Sequence, residues 1–130
     1  MIRTTIKSFI QADLESVWHS VTSLHDYSWR SDIKDIEVSD ERHFREISNE
    51  GYVTCFTVIE PFLKYSFLMD NVNFSGEWTG YFRRAGNGTE VIFTESINLK
   101  KWWLYPFALL YLKLQQKRYI ADLKRKCEQE

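Results

Sequence analysis

The chain has 130 residues and a mass of 15.6 kDa, which suits one domain and is long enough to bury a core. Seventeen Lys and Arg oppose eighteen Asp and Glu, for a formal net charge of -1, so the charge balance does not indicate a nucleic-acid partner. Phe, Tyr and Trp make up 16% of the residues. That fraction excludes a disordered chain, because disordered chains contain few aromatic residues.

The sequence favours a cytoplasmic protein. Cys55 and Cys127 are isolated and form no Cys-x-x-Cys spacing, which indicates thiols in a reducing compartment rather than a disulfide framework or a zinc site. Residues 1–7 lack the continuous apolar core of a signal peptide. The longest apolar run, Trp102–Leu112, is shorter than the roughly 20 residues that a spanning helix needs.

The N-terminal segment predicts a strand followed by helix. Residues 2–10 alternate with a period of two, and Ile2, Ile6 and Ile10 share one face. Asp13 then provides a helix cap, because its side-chain oxygen can accept bonds from unpaired amides. The apolar residues that follow at helical spacing are Val17, Trp18, Val21 and Leu24. A second short helical turn is expected over residues 25–29.

The middle of the chain predicts strands. Period-two runs cover residues 36–38, 42–48, 52–60, 63–71, 76–84 and 89–100. Asn49-Glu50-Gly51 and Ala85-Gly86-Asn87-Gly88 are turn signals between them, because Asn and Gly tolerate positive φ. The 52–60 run is apolar on both faces, so its inward side stays open.

A long helix is predicted at the C-terminal end. Pro106 suits a first helical turn, and the chain continues with helical periodicity to Cys127. The expected buried stripe is Leu109, Leu112, Tyr119, Ile120 and Leu123. The sequence therefore predicts an α+β fold in which a curved antiparallel sheet of about seven strands wraps around this helix, with two short helices after the first strand. Such an arrangement can leave a cavity between sheet and helix.

Four segments resemble the SRPBCC superfamily, the START-like group of birch-pollen-allergen relatives, lipid-transfer domains and polyketide cyclases. These are the strand-to-helix entry at 10–18, Asp26-Tyr-Ser-Trp29, Val58-Ile-Glu-Pro61 and the strand at 88–95. Asp13 stands where the family often has Pro. The resemblance implies a helix-grip fold over residues 1–130, as a single ligand-binding domain without a cofactor. It also implies an internal pocket for a hydrophobic molecule such as a lipid or polyketide, but it does not fix a reaction.

Glu95 is the carboxylate in the most unusual position. It shares a strand face with Val91, Phe93, Ile97 and Leu99. Burial on that face would raise its pKa, so Glu95 could act as an acid or anchor the polar end of a ligand. The alternatives are a position at the rim or a pairing with Lys or Arg from the helix.

The remaining site candidates are mainly rings on the expected inner faces. The expected ligand-binding residues are Tyr65, Phe67, Trp78, Phe82, Phe93, Glu95, Phe107, Leu110, Tyr111 and Leu114. The alternative is that these rings form an ordinary core. No metal site is predicted, because His19, His25 and His43 lack ligand-spaced neighbours and are expected to be solvated.

Three functions remain open. The first is binding of a hydrophobic or aromatic small molecule. The second is a cyclase or dehydrase reaction, with Glu95 as the weak catalytic candidate; it would require at least two convergent polar groups in the cavity. The third is an interaction module in which Trp102, Trp103 and Tyr105 contact a membrane or a second protein molecule through the Trp102–Leu112 surface.

Overall fold

Seven antiparallel strands curve around one long helix in the computed structural model, which describes residues 1–128. The strands are β1 (Ile2–Ile10), β2 (Asp35–Val38), β3 (His43–Ser48), β4 (Gly51–Glu60), β5 (Lys64–Asp70), β6 (Phe74–Ala85) and β7 (Gly88–Leu99). The helices are α1 (Leu14–Thr22) and α2 (Tyr105–Glu128), with a 3-10 turn over Trp102–Leu104 between β7 and α2. The predicted α+β helix-grip architecture and its strand count are confirmed.

The sheet has the order β1-β7-β6-β5-β4-β3-β2. Strands β2 to β7 pair with their neighbours in sequence, and β1 pairs with β7. The pairing aligns one inward row across five strands, formed by Thr57, Phe67, Trp78, Glu95 and Thr4. The open question about β4 is also settled, since its buried or half-buried inward residues are Val53, Cys55 and Thr57.

The predicted second short helix is wrong. Residues 23–34 form turns and bends instead. The Ser23 hydroxyl accepts hydrogen bonds from the amides of His25 and Asp26, at 3.3 and 2.9 Å. A side chain that takes up local amides in this way competes with helix formation, so α1 ends at Thr22.

Helix α2 packs one row of side chains against the concave face of the sheet. Its buried residues are Ala108, Leu112, Gln116, Ile120, Asp122, Leu123 and Cys127. Gln116 joins the helix to β1, since its Nε2 donates to the Thr4 carbonyl at 2.9 Å and its Oε1 accepts from the Thr4 hydroxyl at 3.2 Å. Leu109 was expected in the buried stripe but is exposed, because the inward row begins one residue earlier, at Ala108. Within residues 1–128, no helix is both long and apolar enough to cross a membrane.

The two ends of the molecule differ in how they are covered. At one end, which we call the closed end, α1 lies over β6 and β7, and Trp18 packs edge-on against Phe82 with ring centroids 5.1 Å apart. At the opposite end, the open end, the β3–β4 and β5–β6 turns face the start of α2. The side chains at the closed end form a solid core, while the open end leads into a cavity.

Candidate functional site

A cavity of about 430 Å³ lies between the sheet and the first half of α2. That volume is within the range of small-molecule sites, roughly 300–1,000 Å³. Its wall includes aromatic side chains from five strands and from α2, namely Phe44, Tyr52, Tyr65, Phe67, Phe74, Trp78, Phe93, Phe107, Tyr111 and Tyr119. The arrangement is an apolar, largely aromatic chamber with a few polar groups.

Contacts between rings fix the inner wall. Phe67 and Trp78 stack with an interplanar angle of 8° and a centroid distance of 5.2 Å. Trp78 also packs against Phe93 at 4.9 Å and Tyr119 at 6.1 Å. Each of these four rings is therefore held by at least one other ring, so this part of the wall has a fixed shape.

Gly80 makes the position of the Trp78 indole possible. A Cβ atom at residue 80 would lie 2.8 Å from the Trp78 ring and 3.0 Å from Phe93. Contacts that short would displace both rings. The missing side chain at residue 80 therefore leaves space for Trp78 in the cavity wall.

Arg30 is the only cationic side chain on the wall of the cavity in the described part of the chain. Its Nε and Nη2 donate to both carboxylate oxygens of Asp32, at 3.0 and 2.7 Å, and its Nη1 donates to Glu46 at 2.8 Å. Burial alone would lower the pKa of Arg30, but the charges of Glu46 and Asp32 outweigh burial and raise it. Arg30 is therefore permanently charged and neutralised by two carboxylates.

Helix α2 holds the loop that carries Arg30. Asp122 accepts from the Ser31 amide at 2.9 Å and from the Ser31 hydroxyl at 2.7 Å. Arg118 donates to the same hydroxyl at 2.7 Å, and Arg125 donates to the Trp29 carbonyl at 3.0 Å. Because residues on both sides of Arg30 are tied to the helix, its guanidinium has a defined place in the cavity.

Glu95 projects from β7 into the same cavity. Desolvation by burial raises its pKa from 4.5 to about 7, and the nearby carboxylates Glu46 and Asp32 add to the rise. Glu95 forms no hydrogen bond or ion pair with any residue among 1–128. It is therefore neither paired with a helix cation nor solvated at the outer rim, and the predicted rise of its pKa agrees with its position.

The entrance to the cavity lies at the open end. Tyr111, six residues after the start of α2, donates its hydroxyl hydrogen to Glu50 in the β3–β4 turn at 2.9 Å. Gln115 donates to the Tyr111 hydroxyl at 2.8 Å. The bond between Tyr111 and Glu50 bridges the helix and the sheet across the entrance.

The structure brings seven of the ten predicted site residues to the cavity wall. They are Tyr65, Phe67, Trp78, Phe93, Glu95, Phe107 and Tyr111. Burial raises the pKa of Tyr65 and of the neighbouring Tyr119, so both phenols are protonated at neutral pH and can donate hydrogen bonds.

The other three predicted site residues do not line the cavity. Phe82 shares the inward face of β6 with Trp78, but it lies four residues further along, in the core of the closed end, and is 2% exposed. Leu110 and Leu114 are 63% and 57% exposed. They were assigned to the inward face of α2, but that face follows the row of Ala108, Leu112 and Gln116 instead.

Sequence reasoning missed several polar or aromatic groups of the wall, among them Arg30, Asp32, Glu46 and Tyr119. Glu46 carries a usable signal, because it alternates in phase with the buried Phe44 on β3. Tyr119 was placed in the helix stripe but not in the site. Arg30 and Asp32 lie in an irregular loop, where no periodicity marks an inward face.

The convergent polar groups required by the enzyme alternative are present, but most of them are already engaged. Asp32 and Glu46 bind Arg30, which leaves Glu95 as the wall carboxylate with no partner in residues 1–128. His19, His25 and His43 are all exposed, which confirms the prediction that they are solvated.

The segment before and within the first turns of α2 is exposed. The exposed fractions are 81% for Trp102, 53% for Trp103 and 72% for Phe107, while Tyr105 is also exposed. Together with Leu110 and Leu114, these residues form an apolar surface beside the entrance, which we call the entrance ridge.

A scan against protein-family models found no match, and a search of the curated proteins found none. Among solved structures, the chain is similar to a START superfamily protein from Mycobacterium smegmatis, with a TM-score of 0.85 and 13% identity over 98% of this chain and 97% of that one. It is also similar to a protein from Mesorhizobium loti, with a TM-score of 0.76 and 14% identity over 96% of each chain.

A third similar structure is that of a Bacillus halodurans protein, with a TM-score of 0.76 and 16% identity over 98% of this chain and 97% of that one. Identities this low carry no information on ligand or reaction. Full-length superposition at this quality, together with the strand order and the long final helix, shows that the chain has a START-like helix-grip fold.

Proposed function

We propose that this chain is a single START-like ligand-binding domain that holds an apolar or aromatic small molecule in the cavity between sheet and α2. The observation that carries the proposal is the cavity of about 430 Å³. Ligand sites are concave and mostly apolar, with a small number of placed polar groups, and this cavity has that composition. The START-like fold supports ligand binding in general terms only.

The shape of the wall adds support. Phe67, Trp78 and Phe93 are held by contacts with one another, so the apolar surface stays in place without a ligand to organise it. A preformed apolar site loses little conformational entropy when it binds. The transfer of an apolar or aromatic molecule from water would therefore favour binding, with little opposing entropy cost from ordering the wall.

Native mass spectrometry of freshly purified protein tests the proposal directly. The expected result is an added mass that is lost on denaturation. Fluorescence titration with N-phenylnaphthylamine, a neutral apolar probe, provides a second measurement that does not depend on a co-purified molecule.

A blocking variant makes the test specific to the cavity. Ala108 is buried on the cavity side of α2, whereas Leu110 is exposed on the same helix. Ala108→Phe should lower probe affinity by about tenfold or more because the new ring occupies the binding space. Leu110→Phe, the matched control, should leave the affinity unchanged. Equal affinity in both variants, at similar melting temperatures, would contradict binding in this cavity.

A second candidate function, contact with an anionic membrane surface through the entrance ridge, is favoured by charge. Residues 100–121 contain Lys100, Lys101, Lys113, Lys117 and Arg118 but no Asp or Glu. Exposed Trp and Phe side chains beside lysines suit the boundary between lipid headgroups and acyl chains. The ridge adjoins the entrance, so an apolar ligand could pass between a membrane and the cavity.

Vesicle flotation tests the membrane contact. The protein should float with vesicles that contain phosphatidylserine and much less with pure phosphatidylcholine vesicles. The double variant Trp102→Ala/Phe107→Ala should lose most of this binding. Val58→Ala/Leu68→Ala, which removes exposed apolar groups elsewhere on the sheet, is the control. Equal binding by both double variants would exclude the ridge as the contact surface.

A further inference from the structure

The charged side chains on the cavity wall are mostly acidic. Within residues 1–128 they are one cation, Arg30, and four carboxylates, Asp32, Glu46, Glu50 and Glu95. Arg30 is already neutralised by Asp32 and Glu46. A ligand that brings a carboxylate into this cavity would meet further negative charge at low dielectric, which costs free energy.

Among the charged side chains of the wall, Glu95 is the one that has no hydrogen bond or ion pair within residues 1–128. Asp32 and Glu46 bind Arg30, and Glu50 accepts a hydrogen bond from Tyr111. No described residue donates to Glu95. A half-buried carboxylate without a donor is costly, and a ligand that supplies a donor removes that cost.

The surroundings of Glu95 suit a positively charged donor. In the sheet, Glu95 pairs directly with Trp78, so the two side chains lie side by side on the inward face. The adjoining rings of Phe93 and Tyr119 contact Trp78. Aromatic faces attract ammonium groups. The carboxylate of Glu95 and the neighbouring rings can therefore contact the same ammonium group from two sides.

We propose that the cavity selects an apolar or aromatic molecule carrying one protonated amine, with Glu95 as the counter-ion of the ammonium group, and that it disfavours ligands with a carboxylate. This inference rests on the proposed function and specifies the ligand class of the same cavity.

Ionisation of Glu95 makes the affinity for the amine depend on pH. The groups that face it are Arg30 and Asp32 from the loop, Glu46 from β3, and Tyr111 and Tyr119 from α2. Since the Arg30 charge is balanced and the raised pKa values of both tyrosines keep them protonated, Glu95 is the wall group whose charge changes near neutral pH. Amine binding should strengthen as the pH rises through about 7, the pKa of the free cavity's Glu95.

Three probes that share a naphthylmethyl group test the inference by calorimetric titration at about pH 8, namely naphthylmethylamine, naphthylmethanol and naphthylacetate. The amine should bind at least about tenfold more tightly than the alcohol, and the acid most weakly. Glu95→Gln should abolish the advantage of the amine and leave the affinity for the alcohol unchanged. Glu77→Gln, on the outer face of β6, is the matched control and should behave as wild type.

The outcomes separate this inference from the proposed function. Equal affinities for amine and alcohol, tightest binding of the acid, or an amine preference that survives in Glu95→Gln would each overturn the selectivity while leaving the cavity a binding site. Failure of all three probes to bind would contradict both. A melting temperature of Glu95→Gln at or above that of wild type would show that a lost amine preference does not come from unfolding.

Discussion

The closed and open ends of this molecule both have aromatic side chains on the inward face of the sheet, but these side chains are packed differently at the two ends. At the closed end, α1 supplies Val17 and Trp18, which fill the space above Phe82. At the open end no second helix within residues 1–128 covers the sheet, and the cavity separates the start of α2 from it. The comparison teaches that rings become core where a further element covers them and become cavity wall where none does. Aromatic content alone does not distinguish the two.

The largest effect is expected from truncation at the closed end. Phe82→Ala should lower the free energy of unfolding by about 3–5 kcal/mol, because it leaves a void in a packed core. Phe67→Ala should cost clearly less, since Phe67 borders existing empty space. Urea denaturation of the two variants measures both values. Equal losses would show that the open end is packed as tightly as the closed end.

A smaller effect on the free energy of unfolding is expected from the ionisation of Glu95 as the pH changes. Below pH 4.5, Glu95 is protonated in the folded and unfolded states. Between 4.5 and about 7 only the unfolded chain releases the proton, so stability falls as the pH rises, and above 7 the loss is complete. A pKa shift of this size lowers the free energy of unfolding by up to about 3 kcal/mol.

The measurement is the difference in free energy of unfolding between Glu95→Gln and wild type across this range. It should grow in favour of the variant from about pH 4.5 to about pH 8, while Glu77→Gln should show no such trend. A difference that stays constant with pH would mean that Glu95 is as well solvated as a surface carboxylate.

The smallest effect on the free energy of unfolding is expected from a substitution at the entrance. Phe107→Ala should change the free energy of unfolding by no more than about 0.5 kcal/mol, because the ring is 72% exposed. The same denaturation experiment compares this variant with Phe82→Ala. A loss above about 2 kcal/mol would show that the entrance ridge contributes to folding rather than only to contacts with other molecules.

The fold could be predicted from local patterns because strands and helices leave distinct periodicities in the sequence. Asp13 does cap α1, with its Oδ1 accepting from the Ser16 amide at 2.7 Å. The Gly86-Asn87 turn joins β6 to β7 as expected. Residues 25–29 were misassigned because the competing hydrogen bonds of Ser23 do not appear in a periodicity.

The site was harder to predict, since it depends on position along an element as well as on its face. Trp78 and Phe82 share the inward face of β6, yet only Trp78 reaches the cavity. Leu110 could not be placed because the start of α2 is apolar nearly all round. Arg30 reaches the cavity through long-range bonds between its loop and α2, which no local pattern encodes.

The buried hydrogen bonds of Gln116 divide α2 into two parts with different freedom to move. At Gln116 itself the helix is tied to β1 through Thr4, and C-terminal to it Asp122 ties the helix to the Arg30 loop through Ser31. N-terminal to it, within residues 1–128, the exposed bond from Tyr111 to Glu50 is the one hydrogen bond that joins residues 105–115 to another element. A tilt of the first turns of the helix about Gln116 would therefore break no buried hydrogen bond, and its cost would lie in the apolar contacts of the buried residues Ala108 and Leu112. Such a tilt would widen the entrance while leaving Arg30, its carboxylates and the ring contacts of the inner wall in place.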